Sequence, residues 1–137
     1  MKSNKPILVI DDDVIDSMTV KRAIKDCNYT NRVDFARNGE EAFAYLNNEE
    51  NEKPCIILLD LNMPKMNGIE FLEILKKNER LKRIPVIILT TSRSDQDRLK
   101  AYNLGVAGYM IKSMDYSEFV EVMKTIKSYW SISELPE

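Results

Sequence analysis

CIILLDLNMP, residues 55–64, is the stretch from which the fold can be predicted. Five apolar residues stand in a row and end at a carboxylate, Asp60. A run this short and this apolar is typical of a strand buried on both faces of a parallel sheet. Pro54 and Pro64 limit its length. Asp60 is therefore the first polar residue at the C-terminal end of the strand, the edge where ligands bind in open α/β sheets.

Four more segments have the pattern of strands, and amphipathic helical segments separate them. The further strands are predicted at residues 6–10, 32–36, 84–89 and 109–111. The helices are predicted at 14–27, at 40–46, from 68 onward, between a Ser94 cap and Gly105, and at 115–130. Alternating strands and helices imply right-handed crossovers and a parallel sheet covered on both sides. Five such units predict a flavodoxin-like (βα)5 three-layer sandwich with strand order 2-1-3-4-5.

Length and charge restrict the possible functions. The chain has 137 residues, which predicts one domain over residues 1–130 and a short tail, 131–137. Lys and Arg total 20 against 22 Asp and Glu, a net charge of −2, so no nucleic-acid or anionic-membrane partner is expected. With no signal-peptide pattern and no bilayer-length apolar stretch, a cytoplasmic protein is expected.

Histidine is missing from the sequence, and there are two cysteines. The lack of histidine excludes imidazole-based metal sites, histidine-based catalytic triads and a histidine phosphoryl donor within the chain. Cys27 and Cys55 lie in apolar contexts, and we interpret them as core thiols in a reducing compartment.

Polar groups follow four of the predicted strands. Asp11 and Asp12 follow the first strand, Asp60 the third, Thr90 the fourth and Lys112 the fifth. Three carboxylates close together repel one another and call for a cation, and oxygen ligands beside a phosphate favour Mg²⁺. The lysine and the hydroxyl suit a bound oxyanion. This set of groups predicts phosphoryl transfer to Asp60, with the metal neutralising charge.

Each group by itself has an ordinary structural explanation. An acidic run is usually a solvated loop or the start of a helix, a Thr-Thr-Ser sequence is usually a turn, and a single lysine is usually a surface charge. Asp60 could simply cap the following turn. The specificity comes from the joint placement of acid, acid, hydroxyl and amine after successive apolar runs.

These motifs resemble those of a response-regulator receiver domain, the phosphoacceptor half of two-component signalling. The resemblance extends from about Ile7 to Met123. The segments that carry it are residues 10–13, 59–64, 67–68, 89–91 and 108–112.

The resemblance implies a role for each matching residue. Asp60 matches the phosphorylated aspartate. Asp11 and Asp12 match the acidic pair that binds Mg²⁺, with Asp12 the more direct ligand, and Asn62 matches the position whose backbone carbonyl binds the same ion. Lys112 matches the lysine that pairs with the phosphate.

The resemblance also implies how such a protein signals. Thr90 matches the switch hydroxyl, and Tyr109 matches the aromatic residue that turns inward when that hydroxyl contacts the phosphoryl group. The donor is a phosphohistidine on a partner sensor kinase, which agrees with the lack of histidine here. The protein would be a signalling partner and not an enzyme.

Ser113 follows Lys112 where receivers usually have a proline in a cis peptide. A cis bond before serine costs roughly 2.5–4 kcal/mol, so the peptide is either held in a strained cis form or is trans. We expect Lys112 to reach Asp60 in either case.

Ser113 and the C-terminal residues are similar to stand-alone receivers paired with bacterial phytochromes and related sensor kinases. That similarity implies a homodimer through the fourth helix, the fifth strand, the fifth helix and the tail. Trp130 would contribute to that interface or would simply fill the core at the end of an apolar stripe.

The sequence has to be weighed against three alternative functions. A haloacid-dehalogenase-type phosphatase needs an acid two residues after its nucleophile, where this chain has Asn62. A flavodoxin-like FMN protein needs a phosphate loop where this chain has Asp11, Asp12 and Asp13. A receiver that is never phosphorylated and acts only as an interaction module would have the same fold.

Overall fold

Five strands alternate with five helices along the chain. The structure is a computed structural model that describes residues 4–112 and 115–132, with side chains described up to residue 129. The strands are β1 (Ile7–Ile10), β2 (Val33–Ala36), β3 (Ile56–Leu59), β4 (Val86–Thr90) and β5 (Gly108–Ile111). The helices are α1 (Val14–Asp26), α2 (Gly39–Asn47), α3 (Gly68–Lys77), α4 (Asp95–Asn103) and α5 (Tyr116–Ile132).

The strands form one parallel sheet in the order β2-β1-β3-β4-β5. This order confirms the predicted flavodoxin-like arrangement. It places β1 and β3 side by side with Ile10 opposite Leu59, so the residues that follow them emerge at neighbouring positions.

Both faces of the sheet are buried. Leu8, Ile10, Ile57 and Leu59 are among the residues that pack on one face, and their neighbours in the strands pack on the other. One core includes buried residues of α2, α3 and α4, and the second includes buried residues of α1 and α5. The chain therefore folds as three layers, and β1 and β3 are buried along their whole length, as the continuous apolar runs predict.

The local signals for helix ends match the structure. Ser94 caps α4 by accepting a hydrogen bond from the Asp97 N–H, and Asn67 caps α3 in a reciprocal capping box with Glu70. Gly105 follows α4 with a φ of 83°, a left-handed conformation that glycine adopts without strain.

The sequence predicts α1 from apolar residues at roughly helical spacing, Ile15, Met18, Ala23, Ile24 and Cys27, and only the last three of these are buried. Ile15 and Met18 are 75% and 66% exposed, while Val20, Ala23 and Ile24 face the core.

Some expectations fall outside the described residues. These are the geometry of the Lys112–Ser113 peptide, the packing of the Trp130 side chain and the tail from residue 133 onward. Within residues 4–112 and 115–132, no helix is both long enough and apolar enough to cross a bilayer.

Candidate functional site

The sheet register brings Asp11 and Asp60 to one edge. The Asp11 N–H donates to the carbonyl of Ala36 (3.0 Å), and the Asp60 N–H donates to the carbonyl of Ile10 (3.0 Å). Both aspartates thus continue the backbone ladder by one residue beyond β1 and β3. Their side chains are held at the carboxyl end of the sheet by main-chain bonds.

Asp12 joins these two residues in an acidic cluster. Carboxylate oxygens of Asp11, Asp12 and Asp60 all lie within 4.8 Å of one another. Asp11 and Asp60 are 5% and 8% exposed, whereas Asp12 is open to solvent. Burial raises the pKa of Asp11, although hydrogen bonds from Lys112 and from the Asp13 N–H act in the opposite direction. The carboxylates are crowded, partly desolvated and accessible from one side.

Lys112 supplies the positive charge at this edge. Its backbone N–H donates to the carbonyl of Thr90 (2.8 Å), which fixes the residue directly after β5. Its ammonium nitrogen lies 2.6 Å from an Asp11 oxygen and 3.4 Å from an Asp60 oxygen. Burial alone would lower the pKa of Lys112, but hydrogen bonds from its ammonium to Asp11 and Asp16 outweigh burial and raise it. The lysine is therefore charged at any physiological pH.

Thr90 and Tyr109 lie on adjoining strands near the cluster. Thr90 is fully buried, and its hydroxyl oxygen accepts a hydrogen bond from the Ser92 N–H (3.2 Å). The Tyr109 hydroxyl donates to the Ser92 carbonyl (3.2 Å), and burial raises the pKa of Tyr109. Ser92 also donates to an Asp97 oxygen (2.9 Å), which ties the loop after β4 to α4. Hydroxyl, aromatic ring and helix are connected through a single loop.

Asn62 begins the turn after β3. Its N–H donates to an Asp60 oxygen at 3.3 Å, a long bond that leaves the carboxylate only weakly engaged. The predicted site residues at this edge are Asp11, Asp12, Asp60, Asn62, Thr90 and Lys112, whereas Tyr109 lies within β5 opposite Ile88. Their chemical roles stay predictions.

One carboxylate at this edge was missed by the sequence analysis. Asp16, in the first turn of α1, accepts a hydrogen bond from the Lys112 ammonium at 2.9 Å. The local pattern around Asp16 is that of an ordinary acidic first turn. The contact joins residues 96 positions apart, so only the folded arrangement of β5 against α1 could show it.

The donor set fits a hard divalent cation. Among the described residues, the group that could hold an ion consists of three carboxylates and includes no cysteine, which favours Mg²⁺ and related ions over zinc or copper. The exposure of Asp12 leaves space for water to complete the coordination of such an ion.

Known proteins with a similar sequence and fold include response regulators. The chain is 37% identical over 135 residues to the response regulator Rcp1 of Synechocystis, covering 94% of this chain and 92% of that one. The Mn²⁺-bound crystal structure of Rcp1 superposes with a TM-score of 0.88 over 98% of this chain and all of that one, at 35% identity.

Two other solved structures are similarly close. The phosphorylated cyanobacterial phytochrome response regulator RcpA is 35% identical with a TM-score of 0.89, covering 98% of this chain and all of that one. The bacteriophytochrome response regulator AtBRR is 33% identical with a TM-score of 0.76, covering 98% and 99%. The family model for the response regulator receiver domain matches residues 7–124. With its sheet order, its acidic edge and these relatives, the chain belongs to the response regulator receiver domain family of two-component signalling.

Proposed function

We propose that this receiver accepts a phosphoryl group on Asp60 in a reaction that needs Mg²⁺. The observation that carries the proposal is the convergence of three carboxylates and one ammonium at the end of β1, β3 and β5. Carboxylates alone would repel a phosphate, and an ammonium alone would bind one without a place to transfer it. Together with a divalent cation they suit an anionic phosphodonor and an aspartyl nucleophile.

Of the two buried carboxylates, Asp60 is better placed to react than Asp11. The bonds that its oxygens accept from the described residues are long, 3.3 Å from the Asn62 N–H and 3.4 Å from Lys112. Asp11 is already bound on both oxygens, at 2.6 Å by Lys112 and 2.9 Å by the Asp13 N–H. A lone pair on Asp60 is therefore easier to direct at phosphorus.

The remaining groups would bind and orient. Asp11, Asp12 and Asp60, with the backbone carbonyl of Asn62, would hold Mg²⁺, which when bound neutralises charge on the transferred group. Lys112 would pair with a phosphoryl oxygen, and the Thr90 hydroxyl would donate one hydrogen bond to it.

The proposed output is a change of conformation and not turnover of a separate substrate, so the protein is not an enzyme in this account. When Thr90 turns toward the phosphoryl group, its bond with Ser92 is lost and the loop that holds the Tyr109 hydroxyl is released. The surface of α4, β5 and α5 then changes its affinity for a partner.

The proposed phosphodonor is a sensor histidine kinase of the phytochrome-like class. RcpA and AtBRR, which match this chain over nearly its whole length, are named as phytochrome and bacteriophytochrome response regulators. Because such a kinase is charged by ATP, the proposed reaction takes place in the cytoplasm. Phosphotransfer profiling against the histidine kinases of the source organism tests the choice of partner. Equal, slow transfer from all of them would contradict it.

Acetyl phosphate with Mg²⁺ tests the reaction itself. Intact-mass measurement should show one added phosphoryl group on the wild type and none on Asp60→Asn, and a chelator should abolish the gain. A wild type that gains nothing, or an Asp60→Asn variant that gains as much, would contradict the proposal.

We also propose a homodimer through α4, β5 and α5. Exposed apolar residues support it: Leu99 and Tyr102 on α4 are 63% and 51% exposed, and Tyr129 on α5 is 57% exposed. Sedimentation velocity should show a dimer that Tyr102→Lys weakens, while Ile15→Lys on α1 should not affect it. A monomer at high concentration, with and without phosphorylation, would contradict the dimer.

A further inference from the structure

Lys112 contacts one carboxylate that lies outside the acidic cluster of Asp11, Asp12 and Asp60. Its ammonium nitrogen lies 2.6 Å from Asp11, 2.9 Å from Asp16 and 3.4 Å from Asp60. The contact with Asp16 is thus shorter than the contact with Asp60. Asp16 belongs to α1 and lies outside the group of oxygens suited to a metal ion.

The ammonium has no hydrogen left for a further acceptor. It carries three N–H donors, and these three carboxylates account for all of them. A phosphoryl oxygen carried by Asp60 would replace the long Asp60 contact, and an ordinary hydrogen-bond distance to that oxygen requires the ammonium to loosen one of its two short bonds.

Of the two acceptors bound at short distance, Asp11 and Asp16, Asp16 can be displaced at the lower cost. The Asp11 side chain is 3% exposed, so losing its partner would leave a buried charge uncompensated. The Asp16 side chain is 42% exposed and can be rehydrated by water when the lysine leaves. Asp60 is the reacting group itself, and its contact with the ammonium is already the longest.

The position of Asp16 is set by the helix. Its backbone N–H donates to the Asp13 side chain (3.1 Å), which caps α1 and fixes the first turn. The carboxylate is thereby held at the helix N-terminus, where negative charge is favourable, and opposite the end of β5.

We propose that Asp16 is a positioning residue that holds the Lys112 ammonium in the resting protein and competes for it with the phosphoryl group on Asp60. The inference rests on the proposed function and deepens it. Asp16 touches neither phosphorus nor Asp60 in this account, and it acts on the reaction only through Lys112.

The reaction used to test this is transfer from acetyl phosphate. An Asp60 carboxylate oxygen forms a bond to phosphorus, the bond from phosphorus to the acetate oxygen breaks, and acetate leaves with the electron pair. No proton is transferred and no group is oxidised or reduced. Beryllofluoride, a phosphoryl mimic, provides an equilibrium measurement at the same aspartate.

The decisive variant is Asp16→Asn, with Asp13→Asn as its matched control. Both remove one negative charge from the same turn, and asparagine caps a helix as well as aspartate does. Asp13 bonds the N–H groups of Ile15 and Asp16 and makes no described contact with Lys112. Mg²⁺ is titrated first for each protein so that every comparison is made at saturation.

We expect Asp16→Asn to bind beryllofluoride about three- to tenfold more tightly than the wild type and to be phosphorylated faster by a similar factor, the worth of about one ordinary hydrogen bond to a partly exposed group. Asp13→Asn should change either quantity by less than about twofold. Asp16→Glu, which keeps the charge, should restore behaviour near that of the wild type. Asp16→Ser is the second charge-removing variant and should behave like Asp16→Asn.

A double-mutant cycle with Lys112→Gln separates an effect through Lys112 from a long-range charge effect. In the Lys112→Gln background, Asp16→Asn should have no more effect than Asp13→Asn. Suppose that the wild type reacts but Asp16→Asn and Asp13→Asn change its phosphorylation and its beryllofluoride affinity equally, or that the Asp16→Asn effect persists without the lysine. The inference about Asp16 is then overturned, and the proposed function stands. If the wild type neither reacts nor binds beryllofluoride, the proposed function is overturned and the inference with it.

Discussion

At the scale of single residues, the carboxylates of the site differ in how strongly they are hydrogen-bonded. Asp11 and Asp60 both follow buried strands, yet Asp11 accepts two short bonds and Asp60 two long ones. The sequence predicted that both would reach the sheet edge, because strand ends are marked by where apolar runs stop. It could not predict which of the two is more strongly hydrogen-bonded, because that depends on where the Lys112 ammonium lies. Asp16 was missed for the same reason.

The crowding of carboxylates predicts that Mg²⁺ stabilises the folded protein. Bringing three carboxylates within 4.8 Å costs free energy that a bound cation offsets. At about 100 times its dissociation constant, Mg²⁺ should raise the free energy of unfolding by about 2.7 kcal/mol. Urea unfolding with and without Mg²⁺ measures this.

Asp12→Asn is the control for the magnesium effect. Asp12 is exposed, so the substitution should preserve the fold while removing one predicted ligand. It should lose most of the stabilisation by Mg²⁺, and K⁺ at equal ionic strength should not substitute in the wild type. Equal stabilisation of both proteins would show that the ion binds elsewhere.

At the scale of elements, the turn from β3 to α3 positions Asp60 by close backbone packing. The Gly68 N–H donates to the Leu61 carbonyl (3.0 Å), and a Cβ at Gly68 would lie 2.6 Å from the Asp60 carbonyl oxygen. The sequence predicted that residues 67 and 68 open a helix, because caps are local signals. It did not predict that glycine is needed there for the approach to the strand end.

Gly68→Ala should therefore disturb both stability and the reacting group. The added methyl would lie 2.6 Å from the Asp60 carbonyl oxygen and 2.7 Å from the Leu61 Cα, and these backbone atoms cannot move aside as the Leu61 side chain can, so the turn must shift. We expect a loss of about 1–3 kcal/mol in unfolding free energy and slower phosphorylation by acetyl phosphate.

Gly108→Ala is the matched control for this substitution. A Cβ at Gly108 would make ordinary contacts of 3.8 Å with the Ile87 side chain. Its stability and its phosphorylation should stay close to those of the wild type. If Gly68→Ala is equally harmless, the close packing of this turn does not position Asp60.

Helix α1 shows where local patterns stop being sufficient. Its length follows from sequence, but which side faces the core depends on how the helix lies on the sheet. Ile15 and Met18 have helical spacing and are nevertheless exposed, while Val20 packs inward. Periodicity identifies a helix more reliably than it identifies the buried face of the first two turns.

At the scale of the whole molecule, strand order is what brings the site together. The prediction of order 2-1-3-4-5 follows from the alternation of strands and helices and from right-handed crossovers, so it needs no side-chain detail. That order makes β1 and β3 neighbours and sets β4 and β5 to one side, which brings Thr90 and Lys112 to the same edge.

The two-faced burial of the sheet predicts a loss of stability at alkaline pH. Burial raises the pKa of the Cys55 thiol to about 11 from an ordinary 9.0, so the folded state keeps a proton that the unfolded state releases. The contribution of Cys55 is fully present below pH 9.0 and is lost as the pH rises through about 11. It amounts to at most about 3 kcal/mol.

Urea unfolding in reducing buffer across this pH range measures the effect. Cys55→Ala should lose part of the alkaline decline, whereas Ile56→Val, a core truncation without a titrating group, should be destabilised equally at every pH. A decline that is as steep in Cys55→Ala as in the wild type would contradict the assignment to this thiol.

The central claim is that Asp60 is the nucleophile whose carboxylate oxygen forms the new bond to phosphorus. Its most direct measurement is borohydride reduction of protein treated with acetyl phosphate and Mg²⁺, which converts a phosphorylated aspartate to homoserine, followed by peptide sequencing in a mass spectrometer. We expect homoserine at position 60 and unchanged aspartate at positions 11, 12 and 16. Homoserine at another aspartate, or at none, would contradict it.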